Sequence, residues 1–224
     1  MAALRIQYGG TFDPVHNGHL GVARSARDRL QAGVWLMPAA DPPHKGPTAA
    51  DAQERLAMLQ LAIAGQKDLH VDDRELRRDG PSWTVDTLTD LRREIGDEAP
   101  LAILIGADSF LGLPSWKEWQ LLIDFAHIVI AERPGSVIDP HALPEQLRNF
   151  AEPHWCMRAS ELHQVPAGRL LRLKLPLRPE SSSELRSRIA QGQSWHEWVT
   201  RPVADYIDQH RLYGVNPRPS APTR

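Results

Sequence analysis

The sequence predicts an α/β fold in which helices cover both faces of a doubly wound parallel sheet. Short apolar segments alternate along the chain with longer segments whose apolar residues recur at helical spacing. The short segments are apolar almost throughout, which is typical of strands buried on both faces of a parallel sheet. Hydrophobic residues make up 42% of the 224 residues, so the chain can build a substantial core.

The predicted strands are short and are separated by glycine, proline or helical segments. The segment 101–106 (LAILIG) is the most clearly apolar, while the last segment mixes strand and basic character. The predicted strands are 4–10, 34–39, 69–73, 101–106, 127–133 and 168–177. Crossovers between such strands are right-handed, so we expect the helices to lie on both faces of the sheet.

The first predicted helix illustrates the spacing of apolar residues by which the other helices are identified. Its apolar residues Leu20, Ala23, Ala26 and Leu30 share one face, and Gly33 ends it. The predicted helices are 19–33, 51–65, 81–96, 115–126, 139–150 and 181–192, followed by one or two closing helices within 194–214. We therefore predict a single domain over 1–213 with a small helical C-terminal part, and a proline-rich tail over 214–224 that is disordered.

Bulk composition narrows the class of protein. The net charge is −2, so no overall basic field indicates a nucleic-acid partner, although a local anion site stays possible. The single cysteine, Cys156, excludes an intrachain disulfide and fits a reducing cytoplasm. No segment approaches the about 20 apolar residues of a membrane helix, and the N-terminus lacks the apolar run of a signal peptide. We expect a soluble cytoplasmic protein with no membrane partner.

Chemically distinctive residues follow several predicted strands. The pair Gly9–Gly10, Gly106 and Arg133 all fall where a strand ends. In open α/β sheets, ligands bind outside the carboxyl ends of the strands. We therefore expect a binding site at this edge of the sheet.

The stretch GGTFDPVHNGH, residues 9–19, combines a glycine turn with two histidines. Two glycines after a strand let the backbone approach a ligand closely, and the amides of the turn and the next helix can hold an anion. His16 and His19 share a face on a helical turn and can donate hydrogen bonds to phosphate oxygens. Two alternatives stay open at this point: a plain turn with surface histidines, and a zinc site with His44 as a third ligand.

The whole string resembles the signature of the nucleotidyltransferase superfamily, in which HNGH stands for the (T/H)xGH motif. SSSELR at 181–186 occupies the place of the second family motif. Further matches are PPHK (42–45), PSWTVDTL (81–88), IGADSF (105–110), PSWKEW (114–119) and ERPG (132–135). Together these motifs, over residues 4–213, are similar to those of bacterial nicotinate-nucleotide adenylyltransferases, which implies a Rossmann-like sheet.

The resemblance also implies a reaction. ATP and nicotinate mononucleotide would give nicotinate adenine dinucleotide and pyrophosphate, as a step of NAD biosynthesis. The mononucleotide phosphate would attack the α-phosphorus directly in line, without a covalent enzyme intermediate. Mg²⁺ would act as cofactor, held by the ATP phosphates rather than by a defined set of protein ligands.

For ATP, the resemblance implies a set of phosphate and nucleotide contacts with catalytic roles for His16, His19, Lys45 and Arg186. Asp108 would lie near the ribose or near phosphate-bound magnesium, and both options stay open. Serines at a helix start also cap helices routinely, a role compatible with phosphate binding. The implied ATP-binding residues are Gly9, Gly10, Thr11, Phe12, His16, His19, Gly106, Asp108, Ser181, Ser183 and Arg186.

For nicotinate mononucleotide, the implied residues are Thr84, Trp116, Lys117 and Arg133. A hydroxyl and amides at a helix N-terminus suit a carboxylate, so we place recognition of the acid at Thr84. Trp116 would stack on the pyridine ring. Four other tryptophans are expected to be structural: Trp83, Trp119, Trp195 and Trp198. One position departs from the family pattern, since Glu180 stands where an apolar residue is usual.

Three other functions compete with this one. The first is a different nucleotidyltransferase, such as one acting on phosphopantetheine, against which the tryptophan motifs PSWT and PSWKEW argue. The second is a nucleotide-binding regulator without catalysis, against which the presence of both histidines and Arg186 argues. The third is an RNA-binding relative of class I tRNA synthetases, against which the charge of −2 argues. A homo-oligomer is compatible with the sequence.

Overall fold

A six-stranded, fully parallel sheet forms the centre of the computed structural model, which describes residues 3–40, 48–133, 135–176 and 179–215. The spatial order is β3-β2-β1-β4-β5-β6, the doubly wound order of dinucleotide-binding folds. The strands are β1 Arg5–Gly10, β2 Gly33–Pro38, β3 Leu69–Val71, β4 Leu101–Gly106, β5 His127–Glu132 and β6 Leu170–Lys174. The six predicted strands and the predicted fold class are therefore confirmed.

Helices connect the strands and close the chain. The α-helices are α1 Asn17–Leu30, α2 Ala52–Ile63, α3 Thr84–Ile95, α4 Ala107–Leu111, α5 Leu122–Phe125, α6 Glu145–Ala151, α7 Ser182–Ala190 and α8 Arg201–His210. Short 3₁₀ turns cover Arg74–Arg77, Leu113–Ser115, Trp119–Leu121, Pro140–Ala142, Glu152–His154, Ala159–His163, His196–Trp198 and Leu212–Gly214. None of the described helices is long and apolar enough to cross a membrane.

The helix predicted over 115–126 is wrong for most of its length. Only α5 is α-helical there, preceded by the 3₁₀ turn Trp119–Leu121. Glu118 has a left-handed backbone conformation, with φ 49°, which interrupts a right-handed helix at that residue. The interruption leaves Trp116 and Lys117 on an irregular segment rather than on a helix.

Two apolar cores lie on opposite faces of the sheet. Helices α1, α2, α7 and α8 pack against one face, and α3, α4, α5 and α6 pack against the other. Strand β4 shows the alternation: Ala102 and Leu104 belong to the first core, while Ile103 and Ile105 belong to the second. Burial on both faces explains why the strand sequences are apolar throughout.

The direction of strand order reverses between β1 and β4. These strands pair in parallel as far as Gln7 opposite Ile103, and their carboxyl ends, Gly10 and Gly106, lie at the same edge of the sheet. A doubly wound sheet opens a crevice at such a switch point, because the crossovers on its two sides leave in opposite directions. The site predicted from the strand ends is thus located between β1 and β4.

Candidate active site

A cleft of ≈ 340 Å³ opens between β1 and β4, on the face covered by α3. Predicted site residues on its wall are Gly9, Gly10, Thr11, Thr84, Gly106, Trp116 and Lys117. Its wall also includes Gln7, Tyr8, Glu75, Ser82, Trp83, Ile103 and Ser109, among others. The structure therefore combines residues predicted for ATP and residues predicted for nicotinate mononucleotide on one surface.

His16 and His19 stabilise each other at the start of α1. The backbone N–H of His19 donates to Nδ1 of His16, and the backbone N–H of His16 donates to Nδ1 of His19, both at 3.3 Å. The rings are stacked, with centroids 3.7 Å apart. The predicted shared face is confirmed, and His16 also serves as the N-cap of the helix.

These hydrogen bonds determine the ring tautomers. A backbone N–H can only donate, so each Nδ1 accepts, and each neutral ring carries its proton on Nε2. Burial, together with the positive charge of Arg133, lowers the pKa of His16 from 6.5 to about 4. His16 is therefore neutral at pH 7, and its Nε2–H can donate to an anion.

The glycine within HNGH is required by the histidine before it. A Cβ on Gly18 would lie 2.9 Å from Nδ1 of His16 and 3.2 Å from the carbonyl oxygen of Glu180. A Cβ on Gly10 would lie 3.0 Å from the ring of Phe12. Sequence analysis did not identify Gly18 as a site residue, although the spacing of the motif places it directly under the His16 ring.

Asp13 anchors the loop that carries the histidines. Its carboxylate accepts hydrogen bonds from the backbone N–H groups of Ala49 and Ala50, at 2.8 and 3.1 Å, and from the Tyr213 hydroxyl at 2.8 Å. Burial beside this carboxylate raises the pKa of Tyr213 above its ordinary value. Asp13 thus joins the opening loop to the C-terminal segment.

Phe12 was predicted to contact ATP, but its ring lies in the core and is 1% exposed. The ring contacts His19 edge-on, with centroids 5.0 Å apart, and meets Tyr8 in the same way at 5.6 Å. Tyr8 lies on the cleft wall. Phe12 therefore packs against the ring of His19 and holds it in position.

The second motif packs directly on the first. The Ser182 hydroxyl donates to the carbonyl oxygen of Pro14 at 3.1 Å, and Arg186 Nη1 donates to the carbonyl oxygen of Asp13 at 2.6 Å. Ser181 caps α7, since its hydroxyl accepts from the Glu184 N–H. The capping role weighed for these serines is thus confirmed for Ser181, Ser183 is exposed in the first turn, and Ser182 is a contact that sequence analysis missed.

At the end of β4, Asp108 and Arg133 meet at the rim of the site. Arg133 Nη2 lies 3.7 Å from Asp108 Oδ2, and the Ser136 hydroxyl donates to Asp108 at 3.1 Å. Both charged side chains are exposed. Gly106 is the N-cap of α4, so Asp108 lies in the first turn of that helix.

The start of α3 and two tryptophans also line the cleft. Thr84 is the first residue of α3, whose first-turn amides have no acceptor within the helix. Trp116 is half-buried on the cleft wall, and Lys117 pairs with Asp86 of α3 at 3.3 Å. Trp83 was predicted to be purely structural, yet it lies on this wall and also packs on the second core.

The other tryptophans are structural, as predicted. Trp119 is buried and packs against Phe150, with ring centroids 4.7 Å apart. Trp195 is buried in the first core. Trp198 packs against that core and lies under the guanidinium of Arg188, which is 4.5 Å from the ring centroid.

The cleft wall includes two buried polar residues that sequence analysis did not identify. Gln7 of β1 donates from Nε2 to Asp72 at 2.6 Å. Glu75 accepts from the Thr87 hydroxyl at 2.9 Å, and burial raises the pKa of its carboxyl group. The hydrophobic pattern did not mark either residue as functional. A single polar residue in a strand, such as Gln7, and one acidic residue in a charged segment, such as Glu75, are both common in proteins without a site there.

The remaining predictions concern the PPHK loop, a metal site and Glu180. Lys45 and His44 lie outside the described residues. Within the described ranges, no three His, Cys, Asp or Glu side chains are placed to hold a metal ion together. One oxygen of Glu180, Oε2, is buried and has no hydrogen-bond partner among the described residues.

Comparison with known proteins identifies the family of this chain. The model of the cytidylyltransferase-like family matches residues 7–188. A protein of Stenotrophomonas maltophilia (strain K279a), named "Probable nicotinate-nucleotide adenylyltransferase", is 50% identical over 218 residues, which are 95% of this chain and 98% of that protein. A protein of the same name from Xylella fastidiosa (strain M12) is 42% identical over 220 residues, 96% of this chain and 99% of that protein.

Solved structures share the fold. Nicotinic acid mononucleotide adenylyltransferase of Plasmodium falciparum, complexed with NaAD, superposes with a TM-score of 0.73 at 19% identity, covering 96% of this chain and 98% of that one. The same Plasmodium protein complexed with APC gives a TM-score of 0.70 at 18% identity, with the same coverage. From the family model and the near full-length relatives, the chain belongs to the cytidylyltransferase-like family and, within it, to the nicotinate-nucleotide adenylyltransferases.

Proposed function

We propose that this protein transfers the adenylyl group of ATP to nicotinate mononucleotide, giving nicotinate adenine dinucleotide and pyrophosphate. Family membership supports the reaction class, and relatives 50% and 42% identical carry the name of this activity. The Plasmodium neighbour is complexed with NaAD, the product of the proposed reaction. We also propose a cytoplasmic location, for which the single cysteine is the supporting observation.

One observation carries the proposal. The histidine loop and the start of α7 are joined by two hydrogen bonds, Ser182 to Pro14 and Arg186 to Asp13. This joint brings together two helix N-termini, two imidazoles and a guanidinium. Gly10 and Thr11 of the same loop line the cleft, and so does Thr84 at the start of α3. An anion-binding end and a carboxylate-binding end on one cleft match a triphosphate donor and an acidic acceptor.

At the phosphate end, we propose that the chain's donors stabilise charge in the transition state without forming a covalent bond. His16 and His19 present Nε2–H groups, and Arg186 adds a charged fork 34% exposed to solvent. The mononucleotide phosphate oxygen attacks the α-phosphorus of ATP in line, and the bond to pyrophosphate breaks. No nucleophilic side chain is needed, because positioning and charge stabilisation supply the catalysis.

At the acceptor end, we propose that Trp116 stacks on the pyridine ring and that the start of α3 holds its carboxylate. The N–H groups of the first helical turn and the Thr84 hydroxyl are donors to an anion there. Lys117, already near Asp86, adds positive charge at the same end. Arg133 is placed at the rim, where it can meet the phosphate of the mononucleotide.

We propose Mg²⁺ as cofactor, held mainly by the phosphates of ATP. Mg²⁺ commonly takes one or two carboxylates together with substrate phosphates, so a site with few protein ligands fits it. Asp108, exposed at the rim, is the carboxylate that we assign to that role, because Asp13 is buried and already accepts hydrogen bonds from the backbone N–H groups of Ala49 and Ala50. When bound, the ion neutralises charge on the triphosphate and on the leaving pyrophosphate.

The experiment that tests the function is product analysis from ATP labelled at its α-phosphate. With nicotinate mononucleotide and Mg²⁺, the label should appear in nicotinate adenine dinucleotide, with one pyrophosphate released per dinucleotide. A chelator should abolish turnover, and excess Mg²⁺ should restore it. Label that stays in ATP or appears in AMP would refute the proposed function, and full turnover in metal-free buffer would remove the ion from it.

A further inference from the structure

Gln7 carries an unsatisfied polar atom at the bottom of the cleft. Its side chain is 1% exposed, and Oε1 has no hydrogen-bond partner among the described residues. The orientation of its amide is fixed, because Nε2 donates to the Asp72 carboxylate at 2.6 Å and a carboxylate can only accept. Oε1 is therefore an acceptor that needs a donor.

A buried acceptor without a partner is costly, so a ligand or water is expected to satisfy it. Gln7 lies on the cleft wall with Ile103, its partner in the β-sheet register. Both are three residues deeper in their strands than Gly10 and Gly106. A donor that reaches Gln7 must therefore be the part of a ligand that enters the cleft furthest.

The neighbours of Gln7 indicate which ligand part this is. Glu75, Ser82, Trp83, Thr84 and Trp116 line the same cleft. In the proposed function, Trp116 stacks on the pyridine ring and the start of α3 holds its substituent. The deepest group is then the substituent at the ring, and the present inference rests on that placement.

We propose that Gln7 Oε1 recognises the amino group of a pyridine carboxamide and so determines how well nicotinamide mononucleotide competes with the acid as acceptor. A carboxamide offers an oxygen to the donors at the start of α3 and an N–H to Gln7. A carboxylate offers two acceptor oxygens, so it gains nothing from Gln7 and depends on the helix start alone. The acid stays the preferred substrate because its charge favours the helix N-terminus.

Glu75, on the same wall, does not exclude the acid. Its carboxyl group is buried on this wall, and one oxygen already accepts from Thr87. An ionised Glu75 would repel a carboxylate, and burial raises the pKa of this group toward its neutral form. A neutral carboxyl group can donate a hydrogen bond to the acid, whereas the amide oxygen of Gln7 can only accept. Gln7 therefore favours the amide at any pH.

The test compares kcat/KM for the two mononucleotides in the parent enzyme and in Gln7→Leu. We expect slow but measurable turnover of the amide by the parent enzyme. Gln7→Leu should lower kcat/KM for the amide about fivefold to tenfold, the scale of one lost neutral hydrogen bond, and leave the value for the acid within about twofold. Gln7→Met, with a similar length and no carbonyl, should give the same split.

The controls separate this inference from the proposed function and from folding. Gln164→Leu, at an exposed residue, should leave both kcat/KM values unchanged. Equal losses for acid and amide in both Gln7 variants would make Gln7 purely structural and would overturn the inference. So would an amide turnover that is undetectable in the parent enzyme. Failure of the acid itself to react would instead refute the proposed function.

Discussion

His19 depends on His16 and Phe12 for its position. Its Nδ1 accepts from the backbone of His16, and its ring packs edge-on against the buried Phe12 ring. We assign Nε2–H as the group with which His19 meets a phosphate. We expect His19 to stabilise the transition state rather than to strengthen substrate binding.

His19→Ala should lower kcat about 10²–10³-fold and change KM for either substrate much less. Donors aimed at developing charge act mainly in the transition state, and one such donor contributes on this scale. His19→Asn keeps an acceptor for the His16 N–H but lacks Nε2, so it should lose a similar factor. Steady-state kinetics of both variants test this, and turnover within a few fold of the parent enzyme would contradict the assigned role.

Trp116→Ala should weaken nicotinate mononucleotide binding about 5- to 150-fold and leave ATP affinity nearly unchanged. Stacking of an aromatic ring on a base contributes about 1–3 kcal/mol, and we apply that scale to the pyridine ring. Trp116→Phe should recover part of the loss. Separate Kd measurements for the two substrates and a melting curve check this. Equal weakening of both substrates with a large fall in Tm would place Trp116 in the core alone.

At the scale of elements, the site depends on close packing between the start of α1 and the segment before α7. Gly18 lies between the His16 ring and the backbone of Glu180, where a Cβ would be 2.9 Å from Nδ1 and 3.2 Å from the carbonyl oxygen. Real Cβ atoms do not approach so closely, so any side chain here must move one of the two motifs.

Gly18→Ala should therefore displace the His16 ring and lower kcat at least tenfold, with a smaller effect on the mononucleotide Kd. Hydrogen-bond donors that are displaced by a fraction of an ångström stabilise the transition state much less. Gly112→Ala is the matched control, because its Cβ would make only ordinary contacts, the nearest at 3.5 Å. The prediction fails if kcat of Gly18→Ala equals that of the control.

Elements were easier to predict from the sequence than contacts. Apolar segments such as 101–106 identify strands because burial on both faces leaves a local pattern. The helix predicted over 115–126 failed because the left-handed conformation of Glu118 has no signal in composition. The hydrogen bond from Ser182 to Pro14 joins residues 168 positions apart, and no local pattern encodes such a pair. Gln7 was missed for the same reason, since its partner Asp72 approaches it only in the folded chain.

At the scale of the whole molecule, a buried histidine links stability to pH. His127 of β5 is fully buried; Nε2 lies 3.1 and 3.0 Å from the carbonyl oxygens of Leu162 and Val165. Nδ1 accepts from the Arg169 N–H, so the ring is neutral with its proton on Nε2. Burial lowers the pKa of His127 from 6.5 to about 4.

The free energy of unfolding should consequently fall as pH drops from about 6.5 to 4. The unfolded chain binds the proton at the ordinary pKa while the folded chain resists it, so the stabilisation is complete above pH 6.5 and is lost below. At pH 5 the loss from His127 is about 2 kcal/mol. The buried His16 adds a loss in the same direction.

Denaturant unfolding at pH 8 and pH 5 measures this effect. His127→Gln, which keeps a donor and an acceptor but does not titrate, should reduce the difference between the two pH values by about 2 kcal/mol. His141→Gln, at an exposed residue, is the matched control and should leave the difference unchanged. An unaltered difference in His127→Gln would show that His127 does not cause the acid sensitivity.

The central claim is that one cleft selects ATP at the histidine loop and an acidic pyridine mononucleotide at the start of α3. The most direct measurement is a competition in which equimolar nicotinate mononucleotide, nicotinamide mononucleotide and phosphopantetheine share one reaction with ATP and Mg²⁺. We predict nicotinate adenine dinucleotide as the main product, the amide dinucleotide as a minor one, and no adenylylated phosphopantetheine. A mixture dominated by the phosphopantetheine product or by the amide dinucleotide would contradict the account.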